Sequence, residues 1–152
     1  MTYRPILFAA ISAFALTACQ ETPAETAKDV SQARETAVEQ NQEARQEASE
    51  DRAKAEVKVA DAQEDLMVVD TNGVKKLTQA ESDAMTVAAN AKYDVAMTEA
   101  KGRYNIEKEK CDALKGVGED ACRSTADATL AAEEAAITST RDAEIVSATY
   151  HE

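Results

Sequence analysis

The chain has 152 residues, enough for one domain, but its composition is acidic and poor in large apolar side chains. Its 29 acidic and 17 basic residues give a formal net charge of −12, which argues against nucleic acid and anionic headgroups as electrostatic partners. Alanine accounts for 32 residues, and from residue 19 onward only 18 of 134 residues are Leu, Ile or Val, with no Phe. That share is below the ~20% mark beneath which a highly charged chain is short of apolar area for an ordinary globular core.

Residues 1–18 have the pattern of an export signal. Arg4 and the amino terminus precede an apolar and small-residue run, Ile6 to Leu16, which is shorter than the ~20 residues of a transmembrane helix. The run ends in Leu16-Thr17-Ala18-Cys19, which resembles the lipobox of bacterial lipoproteins. The alternative is ordinary cleavage after the small-residue site Ala13-Phe14-Ala15, which would leave Cys19 as a spare thiol.

The lipobox resemblance implies that the signal is removed before Cys19 and that this cysteine is lipidated. Its sulfur would take a diacylglyceryl group, and its new amino group would often take a fatty acid such as palmitate. Gln20 follows the cysteine, where an Asp would hold an enteric lipoprotein in the inner membrane. The resemblance therefore implies the periplasmic face of the outer membrane, ahead of inner-membrane anchoring or the free periplasm, and the membrane itself as a partner through the Cys19 lipid.

The remainder of the chain predicts long helices. Residues 19–29 contain the last proline, Pro23, and are interpreted as a polar tether, while residues 30–152 are proline-free and rich in helix-favouring residues. The predicted helices cover about residues 27–70, 78–115 and 120–150. Helix one carries small or apolar residues at steps of mostly 3 or 4, as in a coiled-coil seam. Its members are Val30, Ala33, Ala37, Ala44, Ala48, Ala55, Val59, Ala62, Leu66 and Val69.

Two interruptions separate the predicted helices. Asp70-Thr71-Asn72-Gly73 is expected to end helix one, because Asn-Gly favours the left-handed conformation, and Thr78-Gln79-Ala80-Glu81 is a capping-box pattern that restarts a helix. A small hairpin around the same Asn-Gly is the alternative for residues 67–74. Gly116-Val117-Gly118 ends helix two, and the acids Glu119 and Asp120 suit the start of helix three.

Helices two and three also carry apolar stripes, which complete the predicted seam. Helix three presents Ala126, Leu130, Ile137 and Ile145 at helical spacing. Helix two has one stripe of large residues and a second of mainly small ones beside it. The first contains Tyr93, Met97, Ala100, Tyr104, Cys111 and Leu114, and the second contains Ala84, Ala88, Ala91 and Val95.

Cys111 and Cys122 flank the glycine-containing turn between helices two and three. An exported protein meets an oxidising compartment, so a structural disulfide that joins the two helices is expected. Closing a loop of this size contributes roughly 3 kcal/mol in the chain-entropy model. Two cysteines and the distant His151 do not supply four zinc ligands, and the spacing differs from Cys-x-x-Cys, so metal and redox sites are disfavoured.

The segment Tyr104 to Leu114, followed by Gly116, Asp120 and Cys122, resembles a motif in small exported proteins of proteobacteria. These relatives are Ala- and Lys-rich and helical, and they share a Tyr, a Cys-Asp-x-Leu, a Gly and a second Cys. The resemblance covers roughly residues 93–130. It implies a helical architecture and no activity, and the acidic charge of this chain departs from the Lys-rich pattern.

The sequence predicts no catalytic site, cofactor, metal ion or small-molecule substrate. Its one histidine is His151, and no nucleophile or phosphate-binding motif accompanies it. Asp70, Asn72 and Glu81 are spaced as in a calcium loop, but Lys75 occupies the position that requires Gly. One helix face carries acidic residues four positions apart. We interpret this face as a solvated surface, and the alternative is a surface that binds a divalent cation or a basic partner. These acids are Glu35, Glu39, Glu43 and Glu47.

Together these patterns predict an all-α, elongated, alanine-rich helical hairpin or coiled coil of two to three long helices, with partial disorder expected nearest the N-terminus. The expected function is non-enzymatic: a structural or interaction lipoprotein, acting as a spacer or adaptor with a helical protein partner or a second copy of itself. The alternatives are a periplasmic holdase that binds hydrophobic clients, and an acidic cation-binding surface.

Overall fold

The computed structural model describes residues 22–66 and 71–150. They form three α-helices: α1 is Pro23–Leu66, α2 is Thr71–Cys111 and α3 is Val117–Thr149. No strand occurs in these two ranges, which confirms the predicted all-α fold and excludes the alternative hairpin, whose described residues belong to α2. With 44 residues, α1 is about 66 Å long at 1.5 Å per residue.

The helices form one elongated layer with α2 in the middle. The central helix packs along both α1 and α3, whereas the described parts of α1 and α3 make no contact with each other. Neighbouring helices are antiparallel: Lys76 near the start of α2 pairs with Asp65 near the end of α1, and the Ser82 hydroxyl donates to the Ala148 carbonyl of α3. Among the described residues, each outer helix thus packs against α2 and not against the other outer helix.

The seam predicted for α1 is confirmed. Three of its alanines are buried, and the other members that the structure describes are half-buried, while Val69 lies outside the described residues. These small side chains take up little space between the two helices, so the backbone of α1 can lie close to that of α2. The buried alanines are Ala48, Ala55 and Ala62.

The two predicted stripes of α2 serve its two neighbours. In the first stripe, Tyr93 stacks on the Arg141 guanidinium of α3 at 4.5 Å from the ring centre, and Tyr104 reaches Asp127 of the same helix. In the second stripe, Val95 lines a groove that α2 forms with α1. Leu114, predicted as the last member of the first stripe, lies beyond the end of α2 and is 45% exposed, so that assignment was wrong.

Helix α1 begins at Pro23, so residues 23–29 are helical and not a tether. Thr22 and Glu25 form a capping box: the Thr22 N–H donates to the Glu25 carboxylate at 2.7 Å, and the Glu25 N–H donates to the Thr22 hydroxyl at 3.3 Å. Proline suits the first helical position because its missing N–H would have no partner there. The Thr22 N–H, and then its hydroxyl, hold the pKa of Glu25 below its ordinary value.

The break between α1 and α2 lies earlier than predicted. Helix α1 ends at Leu66, and Asn72 and Gly73 belong to the first turn of α2 instead of ending α1. Gly73 packs against α1: a Cβ atom at residue 73 would lie 3.1 Å from the Leu66 Cα. Helix α2 also runs without interruption through Thr78, whose hydroxyl donates to the Val74 carbonyl, so the predicted restart there was wrong.

The predicted turn between α2 and α3 is present, with α2 ending at Cys111 and α3 starting at Val117. Helix two therefore ends four residues earlier than expected, and helix three begins two residues before Glu119. Gly116 caps α3 with a φ of 54° and a ψ of −129°. No other described residue has a positive φ. An L-residue with a Cβ atom is strained in that conformation, so the turn requires glycine there.

Candidate functional site

The joint between α2 and α3 brings Cys111 and Cys122 together. Their Cα atoms are 5.6 Å apart and their sulfur atoms lie at disulfide-bonding distance. Cys111, the last residue of α2, is fully buried at 0% exposure. A bond between these cysteines links the end of one helix to the first turns of the next.

A second link across the same joint is electrostatic. Arg123 of α3 donates from Nη2 to the carboxylate of Asp112 and from Nε to Glu119 Oε1 at 3.2 Å. All three side chains are partly shielded from solvent, which strengthens charge-assisted hydrogen bonds relative to fully exposed pairs. Arg123 was not among the residues predicted from the sequence, although it lies four residues after Glu119, a spacing at which helical ion pairs form.

Tyr104 and Asp127 form the next contact along α2 and α3. The Tyr104 hydroxyl donates to Asp127 Oδ1 at 2.7 Å. This hydrogen bond to the carboxylate, followed by partial burial and the negative charge of Asp127, raises the pKa of Tyr104 above its ordinary value. The Tyr104 hydroxyl thus ties α2 to the Asp127 carboxylate of α3.

An apolar groove of about 560 Å³ runs between α2 and α3 beside these contacts. Arg103 of α2 and Glu133 of α3 form an ion pair at 3.1 Å along it. The groove is open to solvent, and most of its lining surface is apolar, with small and aliphatic side chains among the residues that form it. They include Ala100, Ile106, Ala126 and Leu130.

A second groove, of about 600 Å³, lies between α1 and α2. It shares Arg103 and Ile106 with the first, so both grooves open on the same face of the helical layer, with α2 as the ridge between them. Its lining is more polar, with Arg34, Asn41 and Arg45 from α1. Arg45 pairs with Glu99 of α2 at 2.8 Å, so the charge of Arg45 already has a partner within this groove.

The structure does not gather the predicted acidic row into a binding site. Glu35, Glu39, Glu43 and Glu47 are all exposed along α1. Across residues 22–66 and 71–150, no group of three or more His, Cys, Asp or Glu side chains could hold a metal ion. Cys19, the predicted lipidation site, and His151 lie outside the described residues.

No helix within the described ranges is both long and apolar enough to cross a membrane. No protein family, no curated protein and no solved structure matches the chain.

Proposed function

We propose that this protein is a lipid-anchored spacer or adaptor of the bacterial envelope, held to the periplasmic face of the outer membrane by Cys19. The observation that carries the proposal is the lipobox-like Leu16-Thr17-Ala18-Cys19 at the end of an apolar signal. Acyl chains contribute ~0.8 kcal/mol per buried methylene, so two or three of them give effectively permanent anchoring.

The described fold suits such a role because it begins directly after the proposed anchor. The capping box at Thr22 starts α1 three residues after Cys19, so two residues of sequence separate the proposed lipid attachment from the capping box. A helix of about 66 Å then extends away from the attachment point. Its exposed charged face offers a long surface to a helical partner or to a second copy of the chain.

The proposal is tested by replacing the anchoring residue, Cys19→Ala. The wild-type protein is expected in the detergent-rich membrane fraction with a lipid mass on its N-terminal residue, and the variant is expected in the soluble periplasm. A Ser12→Ala variant, which alters the signal but keeps the lipobox, should behave as wild type. A wild-type protein that is already soluble, with its N-terminus at Leu16 or later and no lipid, would contradict the anchor.

A periplasmic holdase is the second candidate, and the apolar α2–α3 groove favours it. Ile106 and Leu130 are half-buried in that groove and could contact a hydrophobic client segment. A dye that fluoresces on apolar surfaces distinguishes the candidates: strong binding by the folded protein, abolished by Leu130→Glu, supports a holdase. Weak binding that Leu130→Glu leaves unchanged supports the spacer.

A further inference from the structure

The turn between α2 and α3 exposes two apolar side chains at one end of the molecule. We name residues Leu114–Val117 the tip. Leu114 is 45% exposed and Val117 is 85% exposed, whereas the neighbouring Cys111 is fully buried. The paired cysteines and the Arg123–Asp112 ion pair link the end of α2 to α3, so these exposed side chains lie on a braced turn.

The tip lies at the end of the molecule where α1 begins. Asp29 and Ala33 of α1 line the same shallow groove as Asn105 and Glu109 of α2, so these parts of the two antiparallel helices are level. From that level α1 continues two turns towards Pro23, and α2 continues past Cys111 into the tip. The start of α1 and the tip therefore project in the same direction.

The chain that precedes the described residues ends close to this point. Cys19 is three residues before Thr22, and three residues span at most ~11 Å of extended chain. A lipid on Cys19 thus enters the membrane within a short distance of the end of the molecule that carries the tip. This step rests on the proposed lipid anchor.

We propose that the tip inserts into the phospholipid surface that holds the anchor, as a second and weaker membrane contact. Leu114 and Val117 supply apolar area, and Gly116 adds no side chain that would obstruct approach. The tip also contains Lys115, whose long aliphatic stem lets its ammonium group stay at the level of the headgroups. Asp112 and Glu119, the two acids closest to the tip in the sequence, are both paired with Arg123, which lowers the cost of bringing them to the surface. The surface is one of zwitterionic headgroups, because a chain of net charge −12 is repelled by anionic ones.

The anchor explains how so small a patch can be effective. Two side chains are too few to hold a free protein on a bilayer, but tethering makes the second contact intramolecular at high effective concentration. Two contact points at one end fix the tilt of the helical layer. A protein anchored by the lipid alone would pivot about the chain between Cys19 and α1.

The test uses the absence of tryptophan from the chain, which makes any introduced tryptophan the sole one. Val117→Trp is prepared as the acylated protein and placed in phosphatidylethanolamine–phosphatidylcholine vesicles whose acyl chains carry bromine. Its fluorescence is expected to shift to shorter wavelength and lose more than half of its intensity. Val57→Trp is the matched control: Val57 is 59% exposed on α1, about 50 Å along the helix from Pro23, and should be unaffected.

Three results would overturn the proposal, and they are distinguishable. If the acylated protein floats with the vesicles but Val117→Trp is not quenched, the tip does not insert and the anchor stands. If the protein carries no lipid and does not float, the anchor and the inference both fail. If the wavelength shift occurs equally in the soluble Cys19→Ala background without vesicles, the tip contacts protein and not membrane.

Discussion

Gly102 of α2 faces Ala37 of α1 so closely that a Cβ atom on residue 102 would lie 2.9 Å from the Ala37 Cβ. Real carbon atoms that are not bonded do not approach to that distance, and the Ala37 methyl group is fixed to its helix backbone. The two helices can therefore keep this separation only because residue 102 has no side chain. The cost is a glycine in the interior of a long helix, where alanine is ordinarily better by about 1 kcal/mol.

This contact predicts a departure from normal helix propensity. Gly102→Ala should fail to give the stabilisation of about 1 kcal/mol that alanine brings to an ordinary helix interior, because α1 must shift away from α2. In an Ala37→Gly background, the same Gly102→Ala change should recover that stabilisation. Urea unfolding of the four proteins measures the coupling, and equal effects of Gly102→Ala in both backgrounds would contradict the close approach.

The turn between α2 and α3 predicts opposite effects for two nearby glycines. Gly116 has a φ of 54°, and a Cβ atom added at either Gly116 or Gly118 would meet nothing within 4 Å. Gly116→Ala should destabilise the protein by about 1–3 kcal/mol through backbone strain alone. Gly118→Ala, in the first turn of α3, should be neutral or slightly stabilising. Similar melting temperatures for the two variants would contradict the assigned backbone conformation.

A bond between Cys111 and Cys122 predicts a redox-dependent stability. Reduction, or the double change Cys111→Ala and Cys122→Ala, should lower the free energy of unfolding by roughly 3 kcal/mol. For a chain of this size that corresponds to a fall of roughly 10 °C in the melting temperature. Reductant should leave the double variant unchanged. Two free thiols in non-reduced exported protein, detected by mass spectrometry, would contradict the bond itself.

The Tyr104–Asp127 hydrogen bond predicts an alkaline effect. Because the folded state raises the pKa of Tyr104, this contact stabilises the protein below the ordinary tyrosine pKa of about 10 and is lost as the pH rises through the raised value. Asp127→Ala should move one tyrosine titration, followed by ultraviolet absorbance, to lower pH. Tyr104→Phe identifies it by removing that transition, and an Asp127→Ala titration identical to wild type would contradict the assignment.

The open layer of helices predicts an extended particle in solution. A compact domain of about 134 residues has a radius of gyration of about 14 Å. A molecule built along a helix of about 66 Å should approach about 20 Å even as a monomer. X-ray scattering on the soluble Cys19→Ala form measures this radius, and the compact value would contradict the arrangement.

Sequence periodicity predicted the helical seam because an alanine ladder with steps of 3 and 4 has one structural interpretation. Ala48, Ala55 and Ala62 are buried as that ladder requires. The start of α1 was predictable too, since Thr22 and Glu25 have the spacing of a capping box, but Pro23 was interpreted as part of a tether. Proline indicates a helix start as well as a linker, and the residues after it decide between them.

Tertiary contacts account for what the sequence did not predict. Asn72-Gly73 has a strong local preference for a turn, yet its glycine is used for close packing against Leu66. The packing of the two helices contributes more free energy than the turn preference of Asn-Gly, so packing determines the conformation of these residues. The contacts of Arg123 with Asp112 and of Arg141 with Tyr93 could not be predicted either, because contacts between helices depend on their register, which a single sequence does not specify.

The lack of contact between the described parts of α1 and α3 makes the molecule a nearest-neighbour chain of two interfaces, as in repeat proteins. Its energy is then close to a sum of two terms that have only α2 in common, so α1 can detach while α3 stays docked. The α1–α2 interface is the more extensive of the two, whereas the α2–α3 interface carries the covalent joint. Hydrogen exchange is therefore expected to show two separately opening units, α1 on one side of α2 and α3 on the other.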